Sequence, residues 1–528
     1  MQDVDVFTDV KARDGKRGQY DGCYGRWTIA WTIVVRLPLL VLVVLPVALI
    51  SSALRKTCCC LTADDNAEIL PEDEWNSGDH DEHGDGGSGD LEAAKGVLPL
   101  EQRKFDVVFL GASGFTGRLA VRYMAAQYAN SVKWALAGRS IGKLEQLRAE
   151  LAAEFDPELA KLQILIVNVT DDNSLAAMCS QTRVVATSVG PFAKYGTPVV
   201  RQCVAHGCAM VDTTGEAAWV RECTRQYYRA AQASGARIVN FCGHDCIPAD
   251  LCVMQVFETL VDVNPNEMLA RVELFDDGRG QISGGTLETV FYHQNTYRPP
   301  QASFNPLDLE RDGSRSDFRI ESFTRLKPGY SATHDSWYAW FYLSAVNMAC
   351  VRRSNVIKHY GAHLEYKEQL VLPSLAAAIA WVINNALLAF FLFHPFWRAV
   401  ASKLGMLPVA GKGPSEAEMD KGYYVQHGHG FGDMGSRVSV QMYFPTDTLY
   451  RLTAQMFVES ALCFALEGAE LEDEGGFFTP ASCLGPVLRN RLLEAGICEI
   501  ETKIDAVADV DFDVVDDFDN YKATAYMA

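Results

Sequence analysis

Residues 105–124 read FDVVFLGASGFTGRLAVRYM, and they are the strongest indication of the fold. FDVVFL is a short apolar run that predicts a buried β-strand, and RLAVRYM carries apolar residues at helical spacing. A glycine-rich turn joins them. Its first glycine permits a tight turn, the second lets backbone N–H groups approach a pyrophosphate, and the third lets the helix pack on the strand. The turn therefore predicts a dinucleotide site at a helix N-terminus. We assign to this site Gly111, Ser113, Gly114, Phe115, Thr116 and Gly117.

The same alternation of apolar runs and helical patterns continues to residue 243. WALAG, LQILIVNV, RVVATSVG, AMVDTTG and ARIVNFCG predict further strands, and a helical segment separates each from the next. Continuous apolar strands joined by crossover helices are typical of a parallel sheet that is covered on both faces. We therefore predict a doubly wound α/β domain over residues 104–245.

The residues that follow the predicted strands indicate the nucleotide. WALAG is followed by Arg139 and Ser140, with no carboxylate to hold a ribose 2′-hydroxyl. A guanidinium can bind the 2′-phosphate of NADP, so NADP is favoured over NAD, with a simple surface arginine as the alternative. Asp171 either meets the adenine or caps a helix. Gly190 and Pro191 are expected near the nicotinamide ribose, because ligands lie beyond the carboxyl ends of parallel strands.

A hydrophobic segment precedes this domain. After a polar tail over residues 1–26, the segment 27–56 includes an uncharged run from Leu37 to Leu54 that is near the lower limit for spanning a bilayer. The basic residues before it favour a cytosolic N-terminus, and a full span would then place the folded body across the membrane. A hairpin bent at a proline would keep both ends cytosolic. A secretory signal is the remaining alternative.

Acidic residues are concentrated in two segments. Residues 57–92 hold twelve Asp and Glu, residues 505–520 hold seven Asp, neither holds Lys or Arg, and the net charge of the chain is −20. The remaining chain is nearly neutral, so no basic stripe is left for binding nucleic acid. We predict a disordered acidic linker over 57–103 and an acidic tail over 501–528. No metal site is expected.

Cysteine usage indicates the compartment. The chain has 528 residues and 15 scattered cysteines. A chain of this length does not need disulfides to be stable, so we expect buried, reduced thiols. The folded body is therefore expected to face the cytosol, attached to an endomembrane or a lipid droplet.

Residues 246–500 lose the regular alternation and are predicted to form a second domain. ARVELFDD is predicted as a strand that leads into a helical segment, GGTLETVFYHQ. The stretch 370–397 is uncharged and long enough to cross a membrane. Because a full span would separate the C-terminal residues from their domain, we predict membrane-associating helices broken near Asn384 and Asn385. A buried core helix is the alternative.

Eight motifs together resemble one family. LGASGFTGR, WALAGRS, SVGPFAKYG, VDTTGE, GHDCIPAD, GGTLET, GKGPSEAEMDKG and GGFFTPA occur in this order. Over residues 104–500 the chain is similar to the saccharopine dehydrogenase-like oxidoreductases, in the branch that includes bacterial trans-acting enoyl reductases. The resemblance implies a Rossmann-type domain, an α+β substrate and dimerisation domain, NADPH as hydride donor and a homodimer. It also implies that Gly284, Gly285 and Thr286 face the substrate.

One motif departs from the family pattern. The family segment usually reads G-F-D-S-I-P-S-D, whereas this chain has GHDCIPAD. His244 is a candidate proton donor for hydride reduction, or a packed histidine at the domain junction. Tyr195 and Lys194, near the expected nicotinamide, are the alternative donors. Asp245 and Asp250 are expected to cap the next helix.

The leading hypothesis is a membrane-attached, NADPH-dependent reductase. It would transfer hydride to a C=C or C=O bond of a lipid or acyl-type substrate, since two membrane-seeking segments are of no use to an enzyme of charged amino acids. A lipid-surface protein that binds NADP without turnover is the alternative from another class. A true saccharopine or amino-acid dehydrogenase is the third.

Overall fold

The computed structural model describes residues 98–279, 327–394, 415–447, 449–471 and 474–507, together with 316, 318–322, 396, 398 and 403. The predicted membrane segment 27–56, most of the linker, the substrate residues Gly284, Gly285 and Thr286, and the tail beyond residue 507 lie outside the described residues.

A parallel sheet forms the first half of the fold and confirms the predicted α/β domain. Its first six strands are β1 (Phe105–Leu110), β2 (Trp134–Gly138), β3 (Gln163–Ile166), β4 (Thr182–Thr187), β5 (Ala209–Asp212) and β6 (Arg237–Val239). The connecting helices are α1 (Phe115–Tyr128), α2 (Ile141–Glu154), α3 (Asp172–Cys179), α4 (Phe192–His206) and α5 (Ala217–Ser234). The adjacent β1 residues Val107 and Val108 point to opposite faces and are both fully buried, as expected for a sheet covered on two sides.

The second sheet is mixed. Its strands are β7 (Leu269–Arg279), β8 (Arg319–Ser322), β9 (Gly329–Ser331), β10 (Ser336–Trp340), β11 (His363–Leu372), β12 (Tyr423–Gly432), β13 (Arg437–Phe444) and β15 (Glu499–Ala506). They run in the order β15-β13-β12-β7-β11-β10-β9, and β8 also pairs with β11. β7 and β8 are parallel to β11, and the other neighbours are antiparallel. Because β15 ends at Ala506, the second sheet extends past the predicted boundary at residue 500.

The two sheets share elements from the end of the chain. Strand β14 (Gly476–Phe478) joins the first sheet as its seventh strand, giving the order β14-β6-β5-β4-β1-β2-β3. The remaining helices are α6 (Ile247–Val263), α7 (Ser344–Lys358), α8 (Leu375–Phe393), α9 (Glu416–Met419), α10 (Arg451–Leu466) and α11 (Gly485–Glu494). Helix α10 packs on the first sheet, where Phe457 meets Phe109 with ring centroids 6.3 Å apart. One hydrophobic cluster therefore runs through both halves, and a second covers the other face of the first sheet.

The apolar stretch 370–397 does not form the broken pair of helices that its sequence suggests. Its first residues complete β11, and α8 then runs unbroken through Asn384 and Asn385. The Asn385 side chain donates to the carbonyl of Trp381, 2.9 Å away, so its amide is satisfied inside the helix. In the part of the chain that the structure describes, no helix is both long and apolar enough to cross a membrane.

The predicted burial of the cysteines is confirmed among the described residues. The eleven described cysteines are all buried, and no disulfide joins them. The other four cysteines of the chain lie outside the described residues.

Candidate active site

The glycine turn between β1 and α1 has the geometry that its three glycines predict. Gly111 adopts a φ of +91°, and a Cβ there would lie 2.8 Å from Cγ2 of Val189. A Cβ on Gly117 would lie 2.2 Å from the carbonyl oxygen of Gly111, so a larger residue would push α1 away from the turn. Gly114 donates to that same carbonyl, 2.9 Å away. The first and third glycines are thus required by conformation and by close packing.

The N-terminus of α1 is left open for an anion. Gly114 is the N-cap, and among the described residues no side chain caps this end of the helix. The first turn holds no acidic residue, and Ser113 and Gly114 are at least partly exposed. The positive end of the helix dipole and the backbone N–H groups of Phe115 and Thr116 are therefore available to a pyrophosphate.

The carboxyl end of β2 lies beside this turn and is cationic. The amide of Gly111 donates to the carbonyl of Ala137, 3.0 Å away, which fixes β2 next to the turn. Arg139 is exposed, and Ser140 is the N-cap of α2 without using its side chain as a cap. Lys143 is exposed in the first turn of α2. It was not predicted as a cofactor residue, although it lies one helical turn after Ser140. The side chains of Arg139, Ser140 and Lys143 can together bind a 2′-phosphate.

The carboxyl end of β4 forms the opposite wall. Gly190 and Pro191 are joined by a cis peptide bond and lead into α4. The buried Glu216 caps α4, accepting from the amide of Phe192 at 2.6 Å and from that of Ala193 at 2.9 Å. This role was not predicted, although Glu216 belongs to the VDTTGE motif. Glu216 therefore holds the loop that is expected to face the nicotinamide ribose.

Two other predicted residues have clear local contacts. Asp171 accepts from the amide of Asn173 at 3.1 Å, so of its two interpretations the structure shows the helix cap. Tyr195 lies in the first turn of α4, and the ammonium nitrogen of Lys194 is 4.8 Å from its ring centroid. Asp250 does not cap its own helix; it accepts from the amide of Ala481 at 2.8 Å and ties α6 to the turn after β14.

His244 is a packed histidine at the junction of the two sheets. Its ring meets Tyr424 edge-on with centroids 4.5 Å apart, and its backbone amide donates to the hydroxyl of Thr453 at 3.1 Å. Burial lowers the pKa of its imidazole to about 3, so the ring is neutral at physiological pH. A neutral imidazole is a poor acid, which favours a hydrogen-bonding role over donation of a proton.

A polar group that the sequence did not predict surrounds this histidine. Asp276 on β7 accepts hydrogen bonds at Oδ1 from the hydroxyl of Tyr424 and from Nε2 of Gln426, the latter at 3.0 Å. Glu368 on β11 accepts from Nδ2 of Asn347 at 2.6 Å. All are at least nine-tenths buried. We call this group the junction cluster: His244, Asp276, Asn347, Glu368, Tyr424 and Gln426. Besides His244 itself, the acidic residues in the apolar run ARVELFDD were the sequence signal for this cluster.

Aromatic side chains connect the glycine turn to the junction cluster. Phe115, the first residue of α1, packs edge-on against Tyr450 with ring centroids 5.3 Å apart. Burial raises the pKa of the Tyr342 phenol, as do the charge of Asp245 and the neighbouring Tyr450 and Asp276. Because the Tyr342 phenol interacts electrostatically with Tyr450 and with Asp276, we take the region between the cofactor turn and the junction cluster as the candidate reaction site.

A cavity of about 600 Å³ opens elsewhere on the first sheet. Its lining includes Lys104, Asp106 and Lys133, at the amino ends of β1 and β2. Because parallel sheets bind their ligands at the carboxyl ends of the strands, this cavity does not compete with the glycine turn. Within the described residues, no group of three or more His, Cys, Asp or Glu side chains is arranged to hold a metal ion.

Comparisons with known proteins agree with this geometry. Residues 107–239 match the family described as the saccharopine dehydrogenase NADP binding domain. A trans-acting enoyl reductase of Mycobacterium tuberculosis is 30% identical over 424 residues, covering 76% of this chain and 99% of that protein. A trans-acting enoyl reductase of Mycobacterium leprae is 29% identical over 418 residues, covering 75% of this chain and 97% of that protein. A solved saccharopine dehydrogenase from Saccharomyces cerevisiae covers 76% of this chain and 100% of its own, at 12% identity and a TM-score of 0.45. The family match over residues 107–239 shows that the first domain binds NADP.

Proposed function

Because the chain belongs to the saccharopine dehydrogenase-like oxidoreductases and is an NADP-dependent reductase, we propose that it reduces a lipid or acyl-type substrate at a membrane surface. Hydride would pass from C4 of the nicotinamide to a polarised C=C bond, which is the reaction that the names of the mycobacterial relatives suggest. Reduction of a C=O bond is the alternative within the same class. NADPH would supply the two electrons; the residues of this chain bind it, orient it and provide the proton.

Helix α8 is the observation that carries the lipid part of this proposal. It has 19 residues and no charged side chain. Leu375 and Ile379, one turn apart, are 41% and 44% exposed, and Leu388 is 47% exposed. Nε1 of Trp381 donates to the carbonyl of Trp340, 2.8 Å away, which fixes the helix to β10. An exposed apolar surface of this kind marks a contact with lipid or with another protein.

The sequence gives further support for attachment to a membrane. The uncharged run from Leu37 to Leu54 is a second membrane-seeking segment. The buried thiols favour a body that faces the cytosol. We therefore propose the cytosolic face of an endomembrane or a lipid droplet as the location. A homodimer rests on the family resemblance alone.

Deuteride tracing tests the proposed reaction directly. The full chain in mild detergent would be mixed with NADPH deuterated at C4, each face in turn, and with a total lipid extract. Mass spectrometry would then detect any lipid that gains one deuterium. A labelled lipid is the expected result and would identify the substrate class. If NADPH binds in the same sample but no lipid is labelled, the protein is the non-catalytic NADP-binding alternative or acts on a water-soluble substrate.

A further inference from the structure

Four buried polar atoms of the junction cluster have no hydrogen-bonding partner among the described residues. They are Oδ2 of Asp276, Oε1 of Gln426, Oδ1 of Asn347 and Nδ1 of His244. All four side chains are at least nine-tenths buried, and Asp276 and Gln426 are fully buried. An unsatisfied buried polar atom is costly, and one in a native structure usually has a function. Four in one cluster make it a candidate site for a polar group of a bound ligand.

The hydrogen bonds to Asp276 leave one of its oxygens available. The Tyr424 hydroxyl and Gln426 Nε2 both donate to Oδ1, so that oxygen is held by two donors. Oδ2 is the oxygen without a partner among the described residues. A carboxylic acid held in this way carries its proton on the oxygen that accepts no bond. Asp276 therefore has a fixed orientation and a single position for its proton.

We propose that Asp276 is the proton donor of the reduction, with Tyr424 and Gln426 as positioning residues that orient its carboxyl group. The inference rests on the proposed function and adds the acid that the reaction requires. A hydride leaves C4 of NADPH with its electron pair and forms a C–H bond at the β-carbon of an α,β-unsaturated acyl group. The π pair moves to the α-carbon, which takes the proton from Oδ2 of Asp276. NADP⁺ and a saturated acyl group result, and water returns a proton to the Asp276 carboxylate.

The electrostatic surroundings keep this acid protonated near neutral pH. Burial raises the pKa of Asp276 to about 7. The hydrogen bonds from Tyr424 and Gln426 lower this pKa and offset part of the effect of burial. The buried Glu368 interacts with it electrostatically, and burial and Asp276 together raise the pKa of Glu368. Two carboxyl groups that interact in this way do not both ionise readily. The other titratable groups that face Asp276 are His244, Cys252, Tyr342, Tyr366 and Tyr424. Asp277, on the opposite face of the strand, interacts with it electrostatically.

The same two strands provide a matched control on the opposite face. Asp277 follows Asp276 on β7, and Tyr423 precedes Tyr424 on β12. The hydroxyl of Tyr423 donates to Oδ1 of Asp277 at 3.2 Å. Because successive residues of a strand point to opposite faces, this second Tyr–Asp pair lies on the other side of the sheet. Asp277→Asn and Tyr423→Phe therefore make the same chemical changes away from the junction cluster.

The test uses the full chain, NADPH and trans-2-dodecenoyl N-acetylcysteamine thioester as probe. Asp276→Asn should lower kcat by at least about 100-fold, the lower range for a general acid, with the Kd for NADPH unchanged. Asp277→Asn should stay within about threefold of wild type, since it leaves that acid in place. Wild-type kcat should fall tenfold per pH unit above about pH 7, because the protonated acid is lost. The reaction in D₂O should place deuterium at the α-carbon.

A second variant keeps the proposal falsifiable if Asp276→Asn does not fold. Tyr424→Phe removes a hydrogen bond that lowers the pKa of Asp276, so the loss of kcat should begin at a higher pH. Tyr423→Phe should leave the profile unchanged. A near wild-type kcat for folded Asp276→Asn would overturn the assignment of Asp276 as proton donor. So would a dependence of kcat on pH that is unchanged in Tyr424→Phe. Neither result would contradict the proposed reductase activity. If wild type transfers no deuteride to the probe or to a lipid extract, the proposed function fails, and the donor with it.

Discussion

Arg139→Glu is the substitution that tests the cofactor site most directly. Arg139 is exposed at the carboxyl end of β2, beside the glycine turn, and no acidic residue lies in the first turn of α2. NADPH and NADH differ only in the 2′-phosphate. We therefore expect the substitution to weaken NADPH strongly and NADH little.

The size of the effect follows from Coulomb's law. Two unit charges 4 Å apart in water interact by about 1 kcal/mol. The substitution changes the side-chain charge by two units next to a phosphate of between one and two negative charges, so the upper limit is about 4 kcal/mol. Salt and the mobility of an exposed side chain reduce this, and Lys143 remains, so we expect about 2–3 kcal/mol. The Kd for NADPH should rise about 30- to 150-fold.

Fluorescence titration of the full chain with each reduced nucleotide measures both constants. Lys133→Glu is the matched control, because Lys133 is an exposed cation just before the amino end of the same strand. It should change neither Kd by more than about threefold, since charges separated by more than a Debye length are screened. An equal loss of NADPH and NADH binding in Arg139→Glu would refute the 2′-phosphate role, and an equal effect of Lys133→Glu would show a non-specific charge effect.

Three further outcomes are expected. Gly117→Ala should abolish NADPH binding and destabilise the protein by about 1–3 kcal/mol, because its Cβ would lie 2.2 Å from the carbonyl of Gly111; unchanged binding by fluorescence and an unchanged Tm would contradict the packing argument. Glu216→Ala should cost about 1–2 kcal/mol in urea unfolding, since two amides at the start of α4 lose their acceptor, and no loss would mean that water replaces the cap. Replacing Leu375 and Ile379 by glutamate should reduce flotation with liposomes without lowering Tm, because both are exposed; undiminished flotation would remove α8 from the membrane proposal.

The cofactor end of the fold could be read from the sequence because its determinants are contiguous. A strand, a turn and a helix lie within residues 105–124, and each glycine acts on atoms of the same turn or its neighbour. The alternation to residue 243 predicts the parallel sheet for the same local reason. Strand β14 was not predicted, because it joins β6 from a distant part of the chain, outside the local alternation of strands and helices. The interruption expected at Asn384 and Asn385 was wrong because Asn385 is satisfied by a carbonyl of its own helix.

The junction cluster could not be predicted, since its members come from distant parts of the chain. Asp276 lies opposite Gln426 on β12 and opposite Leu370 on β11. Nothing local distinguishes Asp276 from Asp277 or Tyr424 from Tyr423 in the sequence. A shift of one residue in the pairing would turn the other member of each pair inward, because side chains alternate with a period of two. The nucleotide-binding turn is thus specified by adjacent residues, whereas the register of three strands, which exists only in the folded protein, selects the carboxyl group that enters the junction cluster.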